Sequence, residues 1–342
     1  MQINLTYDDL LTRYKDVEYL LVDVRSESEF SDYTIPGAIN IPLLNDAERE
    51  IVGYSYTKIS HDEAKLIGIE LVSKKLPSLS KKIFELEKKH KNLIFFCARG
   101  GYRSTSLTSL MQSIGVNASK LIGGYKGYRS FINNNLNSLI EDVEFIVLYG
   151  NTGTGKTKIL DKLKKMGADV LDLEHCANHR GSVFGNIGIG KQNSQKMFES
   201  LIFDTLYKRN SNFIFVEGES RSIGKCSIPE KLFLKIKNGI HVKITAPIEI
   251  RINNILEEYA INCDEEIINS MNHLRERMGN KWVDDMIRLI KNQNYKEAIK
   301  NIVIDYYDPL YEKTIKNYAY IFENQDANET AKNLYLLLKQ KK

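Results

Sequence analysis

At 342 residues, 42% hydrophobic, 27% charged and with a formal net charge of +4, the chain has the make-up of about two globular domains. A disordered chain is excluded, and apolar runs such as Leu93–Ala98 fall far short of the ~20 residues of a membrane helix, so no membrane partner is expected. Residues 1–140 hold 18 basic and 16 acidic side chains, leaving 30 and 28 beyond, an even spread that permits nucleic-acid binding without signalling it.

The opening Met1-Gln2-Ile3-Asn4-Leu5-Thr6-Tyr7-Asp8-Asp9 is acidic where an export signal is basic, so a cytoplasmic location is expected. Cys97, Cys176, Cys226 and Cys263 include no C-x-x-C pair and no zinc-finger His spacing. Neither a disulfide framework nor a structural zinc site is suggested, which leaves a reactive thiol to look for.

Tyr19–Val24 and Leu93–Cys97 read as buried strands, and Arg103–Ile114 as a helix with Leu107, Leu110, Met111 and Ile114 at three-to-four spacing. Gly115 stops it, and Lys120-Leu121-Ile122 starts a short strand ending in Gly123-Gly124. The polar stretch 133–138 follows a helix and marks a boundary near 136–142, giving domains 1–135 and 141–342. Beyond it, Glu144–Leu148, Asp169–Leu173, Phe213–Val216 and His241–Ile244 read as strands with helices between, and from Pro247 to Leu338 the pattern is largely helical. The fold class is α/β: an N-terminal parallel-sheet domain and a C-terminal α/β domain with a helical extension.

Gly150-Asn151-Thr152-Gly153-Thr154-Gly155-Lys156-Thr157 fits the P-loop pattern in full, between an apolar strand and a helix that begins with Ile159, Leu160 and Leu163. Gly150, Gly153 and Gly155 let the backbone fold around an anion, Lys156 neutralises phosphate charge, and Thr157 is placed to ligate Mg²⁺. Glu217 closes the Phe213–Val216 strand and is the expected metal-binding or water-positioning acid, with Glu219 and Arg221 just beyond. His179-Arg180-Gly181-Ser182 opens a loop after the domain's second strand, where ligands of such sheets collect. His179, Arg180, Ser182 and Arg221 are candidates for binding an anion or a polynucleotide phosphate.

Cys97 ends a hydrophobic strand, and Ala98-Arg99-Gly100-Gly101-Tyr102-Arg103-Ser104 feeds a helix start. Loop amides, the helix dipole and the guanidinium groups of Arg99 and Arg103 would all favour a thiolate at Cys97. Such a thiolate is a nucleophile able to accept sulfur or selenium, or to attack phosphorus.

Leu21-Val22-Asp23-Val24-Arg25-Ser26-Glu27-Ser28-Glu29-Phe30, then Ile35-Pro36-Gly37-Ala38-Ile39-Asn40-Ile41-Pro42, resembles the opening of rhodanese-like domains. The Cys97 loop and Gly123-Gly124-Tyr125-Lys126-Gly127 match the rest of that pattern. With the P-loop and His179–Gly185, and with Tyr306-Tyr307-Asp308-Pro309-Leu310-Tyr311 as a weak C-terminal signature, the chain resembles the bacterial tRNA 2-selenouridine synthases over nearly its whole length. Ala98 departs from the Trp found in many members.

The resemblance implies a transferase that acts on tRNA bearing 2-thiouridine at the wobble position. It replaces the sulfur with selenium from selenophosphate, by way of S-geranyl-2-thiouridine made from geranyl diphosphate. It implies no tightly bound organic cofactor, and a selenophosphate-producing enzyme as a protein partner. On that reading Cys97 handles selenium while the P-loop holds a diphosphate or a nucleotide. The Cys97-x5-Arg103 spacing also suits a Cys phosphatase, so a sulfurtransferase or phosphatase fused to a small-molecule kinase is the alternative. Arg251, His273, Arg275, Arg277, Lys281, Arg288 and Lys291 are candidates for a tRNA phosphate track, with Trp282 a base-stacking residue.

Overall fold

The computed structural model describes residues 4–15, 17–259, 263–311 and 317–340. Two compact units divide the chain, Met1–Leu136 and Asn137–Lys342. The first is built on β1 (Asn4–Leu5), β2 (Leu20–Asp23), β3 (Ile39–Asn40), β4 (Leu93–Phe96) and β5 (Ala118–Leu121). They pair in parallel throughout, in the order β1-β5-β4-β2-β3. A parallel sheet is covered on both faces, so its central strands need no polar alternation. Leu93, Ile94, Phe95 and Phe96 are accordingly all buried. Helices Leu76–Glu87 and Tyr102–Ser113 contribute Leu79, Ile83, Leu107 and Met111 to the core around Val22 and Phe95. Of the apolar stripe expected on the second helix, Leu110 and Ile114 stay on the surface.

The stretch 133–138, expected to follow a helix, lies inside one long helix, Gly124–Glu141. Its polar residues fall between Tyr125, Tyr128, Ile132, Leu136 and Ile140, which are buried at three-to-four spacing. The amphipathic period outweighs the run of asparagines.

The second unit is built on β6 (Glu144–Tyr149), β7 (Val170–Leu171), β8 (Phe213–Glu217), β9 (Ser222–Ile223), β10 (Cys226–Ser227), β11 (Ile240–Thr245) and β12 (Tyr320–Glu323). Strands β9 and β10 form a separate antiparallel ribbon, and the other five make a parallel sheet in the order β12-β11-β6-β8-β7. Strand β12 departs from the helical pattern expected of this region and adds an edge beside β11. The central β6 therefore opens into the phosphate loop with β8 and β11 on either side. That is where open α/β sheets bind ligands.

Helices Asp264–Asn272, Asn280–Lys291 and Tyr295–Asn301 form a second apolar cluster with Met271, Val283, Met286, Ile290 and Tyr307. One turn of π-helix, Ile302–Tyr307, follows. Among the described residues no helix is long and apolar enough to cross a membrane.

Candidate functional site

In the first unit, Cys97 follows β4 directly and its side chain is 4% exposed. Gly124 has φ +55°, and a Cβ there would lie 2.2 Å from Cys97 O, so only glycine allows the approach. The chain after it then pins the cysteine loop, Tyr125 N donating to Cys97 O and Lys126 N to Ala98 O, both at 2.9 Å. This is the physical content of the Gly123-Gly124 pair.

The Cys97 sulfur lies 3.2 Å from Ser104 Oγ. Burial works against the thiolate. The Ser104 hydroxyl, the amides of Ser104 and Arg99 and the charge of Arg103 more than offset it, so the thiol titrates below its ordinary value. Arg103 lends its charge as expected, and Arg99 does not. Arg99 is exposed and contributes through its backbone N–H. Arg103 forks onto Glu29 at 2.6 and 3.3 Å and reaches the sulfur only through space.

Glu29 caps its own helix with Ser26, so the opening motif and the cysteine loop are tied by one carboxylate. Burial raises its pKa, but the Arg103 bond and charge win and hold it below the usual range. Arg25 is buried against Asp23 at 2.6 Å and lies 5.0 and 4.8 Å from the ring centroids of Tyr33 and Tyr125, which stack on each other. Beside the loop, helices Asp46–Lys58 and His61–Ser73 meet Tyr102–Ser113 around an apolar cavity of about 470 Å³.

In the second unit, three side chains distant in sequence hold the phosphate loop from outside. Arg251 Nε donates to Thr152 O (2.9 Å), Asn254 Nδ2 to Gly153 O (2.9 Å) and Asn324 Nδ2 to Thr154 O (2.8 Å). A trans peptide points its N–H opposite its C=O, so fixing the Thr152 and Thr154 carbonyls aims the Gly153 and Gly155 amides to the other side. Asp308 locks this frame, forking onto Arg251 at 3.0 and 2.6 Å and accepting from Asn151 Nδ2 at 2.8 Å. The weak C-terminal signature thus acquires a structural role, because the π-turn delivers Asp308 to the loop. Arg251 is 7% exposed and belongs to this clamp, not to a tRNA track. Within the loop, Gly155 sits at φ +86° and opens helix Lys156–Lys165.

Lys156 Nζ donates to Gly150 O at 2.8 Å, and Thr157 Oγ1 reaches Glu174 Oε2 at 3.5 Å. Glu174, which no sequence motif marks, follows β7 and faces the acid on β8. Its amide donates to Glu217 Oε1 at 2.9 Å, while Glu217 Oε2 is buried with no partner among the described residues. Burial, reinforced by Glu219, pushes Glu174 up to about 8. Burial, then the charges of Asp172 and Glu174, raises Glu217 well above the carboxylate range. Glu219 and Glu258 are raised too, again chiefly by burial, and the charge of Lys156 opposes the rise at each. Several acids around one lysine call for bound protons or a cation. Among the described residues no three His, Cys, Asp or Glu side chains are grouped to hold a metal, so a cation would need phosphate oxygens from its own ligand.

The His179–Gly185 loop packs as a wall of this cluster. A Cβ on Gly181 would meet Glu219 Oε2 at 2.8 Å and Glu174 Oε1 at 3.0 Å. Buried His179 accepts from Gly181 N through Nδ1, and burial lowers its pKa. Arg180 donates to Ile187 O and lies over the Tyr259 ring, whose hydroxyl is 3.3 Å from Ser182 Oγ. Arg221 does not join them: it is exposed and 4.0 Å from Glu230.

On the helices beyond, Arg275 pairs with Asp284 and Arg288 with Asp285, and Arg277 lies over the Tyr306 ring. Trp282 is not offered for stacking, since Nε1 donates to Asp305 and the ring packs on the apolar cluster. His273, Lys281 and Lys291 are exposed.

A two-unit protein results, with a buried cysteine of lowered pKa at the end of one parallel sheet and a glycine-rich P-loop at the end of another. Family models agree with each half: "Rhodanese-like domain" matches residues 6–131, and "tRNA 2-selenouridine synthase AAA domain" matches residues 143–340. The chain belongs to the tRNA 2-selenouridine synthase family. A tRNA 2-selenouridine synthase of Pseudomonas syringae pv. syringae is 32% identical over 323 residues, covering 85% of this chain and 87% of its own. One from Bordetella petrii is 31% identical over 324 residues, covering 85% of each. The solved shikimate kinase of Acinetobacter baumannii is 17% identical, covering 60% of this chain and 98% of its own, with a TM-score of 0.30.

Proposed function

We propose that this chain is a tRNA-modifying transferase that exchanges the sulfur of wobble 2-thiouridine for selenium in two steps. In the first, the thiocarbonyl sulfur attacks the first carbon of geranyl diphosphate, forming S-geranyl-2-thiouridine and releasing diphosphate. The phosphate loop, with Lys156 and the Gly153 and Gly155 amides, holds that diphosphate and takes up the charge developing as it leaves.

In the second step, the Cys97 thiolate adds to carbon 2 and expels geranylthiolate. The selenium of selenophosphate then displaces Cys97, and water cleaves the selenium–phosphorus bond to leave 2-selenouridine and phosphate. No oxidant or reductant is needed. Mg²⁺ fits beside Thr157, where the carboxyls of Glu174 and Glu217 would exchange bound protons for a cation; when bound it would screen the diphosphate charge. Exposed basic residues such as Lys281 and Lys291 are the remaining candidates for contacts to tRNA phosphates, and the site of action is the cytoplasm.

The observation that carries the reading is the Cys97 cradle, a buried sulfur with a hydroxyl at 3.2 Å and a lowered pKa, in a chain similar to tRNA 2-selenouridine synthases over 85% of its length. The test is to incubate the full chain with 2-thiouridine tRNA and geranyl diphosphate, add selenophosphate, and follow the nucleosides by mass spectrometry. S-geranyl-2-thiouridine followed by 2-selenouridine is expected. Intact 2-thiouridine throughout, with folded protein, would refute the proposal.

A further inference from the structure

The first unit holds an apolar cavity of about 470 Å³ next to the cysteine loop. Tyr102 and Arg103, which open the helix after that loop, line it, and Leu107 and Leu110 continue the wall. Leu107 packs in the same core as Cys97, and the charge of Arg103 acts on the sulfur, so the cavity borders the nucleophile's own surroundings. Facing them, Ile69 and Val72 come from helix His61–Ser73. Ile69 is 66% exposed, Tyr102 69%, and Leu110, which the helical spacing marks for the core, 36%. Apolar side chains left uncovered around a cavity suit an apolar ligand. The ionisable groups in the lining are Tyr56, His61, Lys65, Tyr102 and Arg103, and no carboxylate joins them among the described residues.

We infer that this cavity holds the apolar leaving group of the cysteine step, and that through it the Cys97 site tells an S-alkylated base from an unmodified one. The inference rests on the two-step reading of the reaction. As the Cys97 sulfur bonds to carbon 2, the bond from carbon 2 to the alkylated sulfur breaks with its electron pair on that sulfur. The released thiolate takes a proton from water, and no carboxylate of the lining opposes its charge. Its hydrocarbon chain starts one atom from the carbon under attack, so a site for it must adjoin the cysteine loop, as this cavity does. At roughly 10–15 Å³ per water-sized group, about 470 Å³ holds roughly 30 to 45 such groups, ample for a ten-carbon chain and its sulfur. An unalkylated base leaves the cavity unfilled and forgoes that burial.

The test gives the full chain selenophosphate and tRNAs already carrying S-methyl-, S-dimethylallyl- or S-geranyl-2-thiouridine, and follows 2-selenouridine by mass spectrometry at limiting tRNA. The S-geranyl tRNA should react at least about a hundredfold faster than the S-methyl one, with the dimethylallyl compound between. Ile69→Trp and Leu110→Trp fill the cavity from two helices at exposed positions. Each should remove about tenfold or more of the geranyl advantage while leaving the S-methyl rate within about threefold of the parent. A diazirine at the end of the S-alkyl chain, irradiated on the unsubstituted protein, should crosslink to peptides from helices His61–Ser73 or Tyr102–Ser113. Equal rates for the S-methyl and S-geranyl tRNAs, or crosslinks confined to other peptides, would overturn the subsite and spare the two-step reading. Selenation of 2-thiouridine tRNA but of none of the S-alkyl tRNAs would remove that reading and the subsite together. The rates and crosslinks of the unsubstituted chain decide these outcomes if either variant does not fold.

Discussion

Removing Asp308 tests whether the phosphate loop is held in shape from a distance. Its carboxylate is the counter-charge for Arg251, which is 7% exposed and fixes the Thr152 carbonyl. In Asp308→Ala the guanidinium keeps its place but loses both short contacts. Breaking a fully buried pair costs about 3–5 kcal/mol, and because the Asp308 side chain is 25% exposed, water recovers part of that, leaving about 2–3 kcal/mol. For a unit of this size each kcal/mol moves the melting temperature by about 2–4 °C, so a fall of about 4–12 °C is expected.

Pyrophosphate affinity should drop alongside, because Asn151 also loses its partner within the loop. The assay is differential scanning calorimetry with titration of pyrophosphate. The double variant Arg251→Met, Asp308→Leu removes both charges and should recover much of the stability but not the affinity, since Thr152 O remains unheld. A melting temperature within 1 °C of the parent and unchanged affinity in Asp308→Ala, by the same ~2–4 °C per kcal/mol conversion, would refute the clamp.

Ser104→Ala removes the hydroxyl 3.2 Å from the Cys97 sulfur and should slow alkylation of that thiol at pH 7 by about tenfold, read by iodoacetamide labelling and mass spectrometry against a Cys97→Ser control. Gly124→Ala drives a methyl group to 2.2 Å from Cys97 O and should abolish that reactivity, whereas Gly53→Ala, with nothing within 4 Å, should leave it intact; equal labelling of the two would contradict the packing described. Glu174 and Glu217 titrate higher folded than unfolded, so the folded chain binds more protons and stability falls as pH rises from the unfolded carboxylate value towards about 8. Glu217→Gln cannot ionise and should flatten that slope in a series of melting curves; an unchanged slope would show that these carboxyls carry no such strain.

The phosphate loop and the cysteine loop are legible in the sequence because each is continuous and its chemistry is local. Gly150–Thr157 announces its turn, its amides and its lysine within eight residues. What encloses them is not legible. Arg251, Asn254, Asp308 and Asn324 lie 99 to 170 positions from the loop residues they grip, and each would pass for a surface residue in its own neighbourhood.

Strand β12 is four residues between helices, and what makes it a strand is β11 beside it. Closeness in sequence correctly suggests that the charge of Arg103 favours the thiolate, but not that its hydrogen bonds go to Glu29, 74 residues away. The asparagine run at 133–135 is the reverse case: the period from Tyr125 to Ile140 spells a helix, and the local composition masks it.

The central claim is that two sites divide one reaction, and separating the steps tests it most directly. Cys97→Ser and Lys156→Ala proteins, each shown to be folded, are incubated with 2-thiouridine tRNA, geranyl diphosphate and selenophosphate, and the nucleosides are quantified by mass spectrometry. Accumulation of S-geranyl-2-thiouridine without 2-selenouridine is expected from Cys97→Ser, and loss of S-geranyl-2-thiouridine from Lys156→Ala. Normal formation of 2-selenouridine by Cys97→Ser, or undiminished geranylation by Lys156→Ala, would contradict the account.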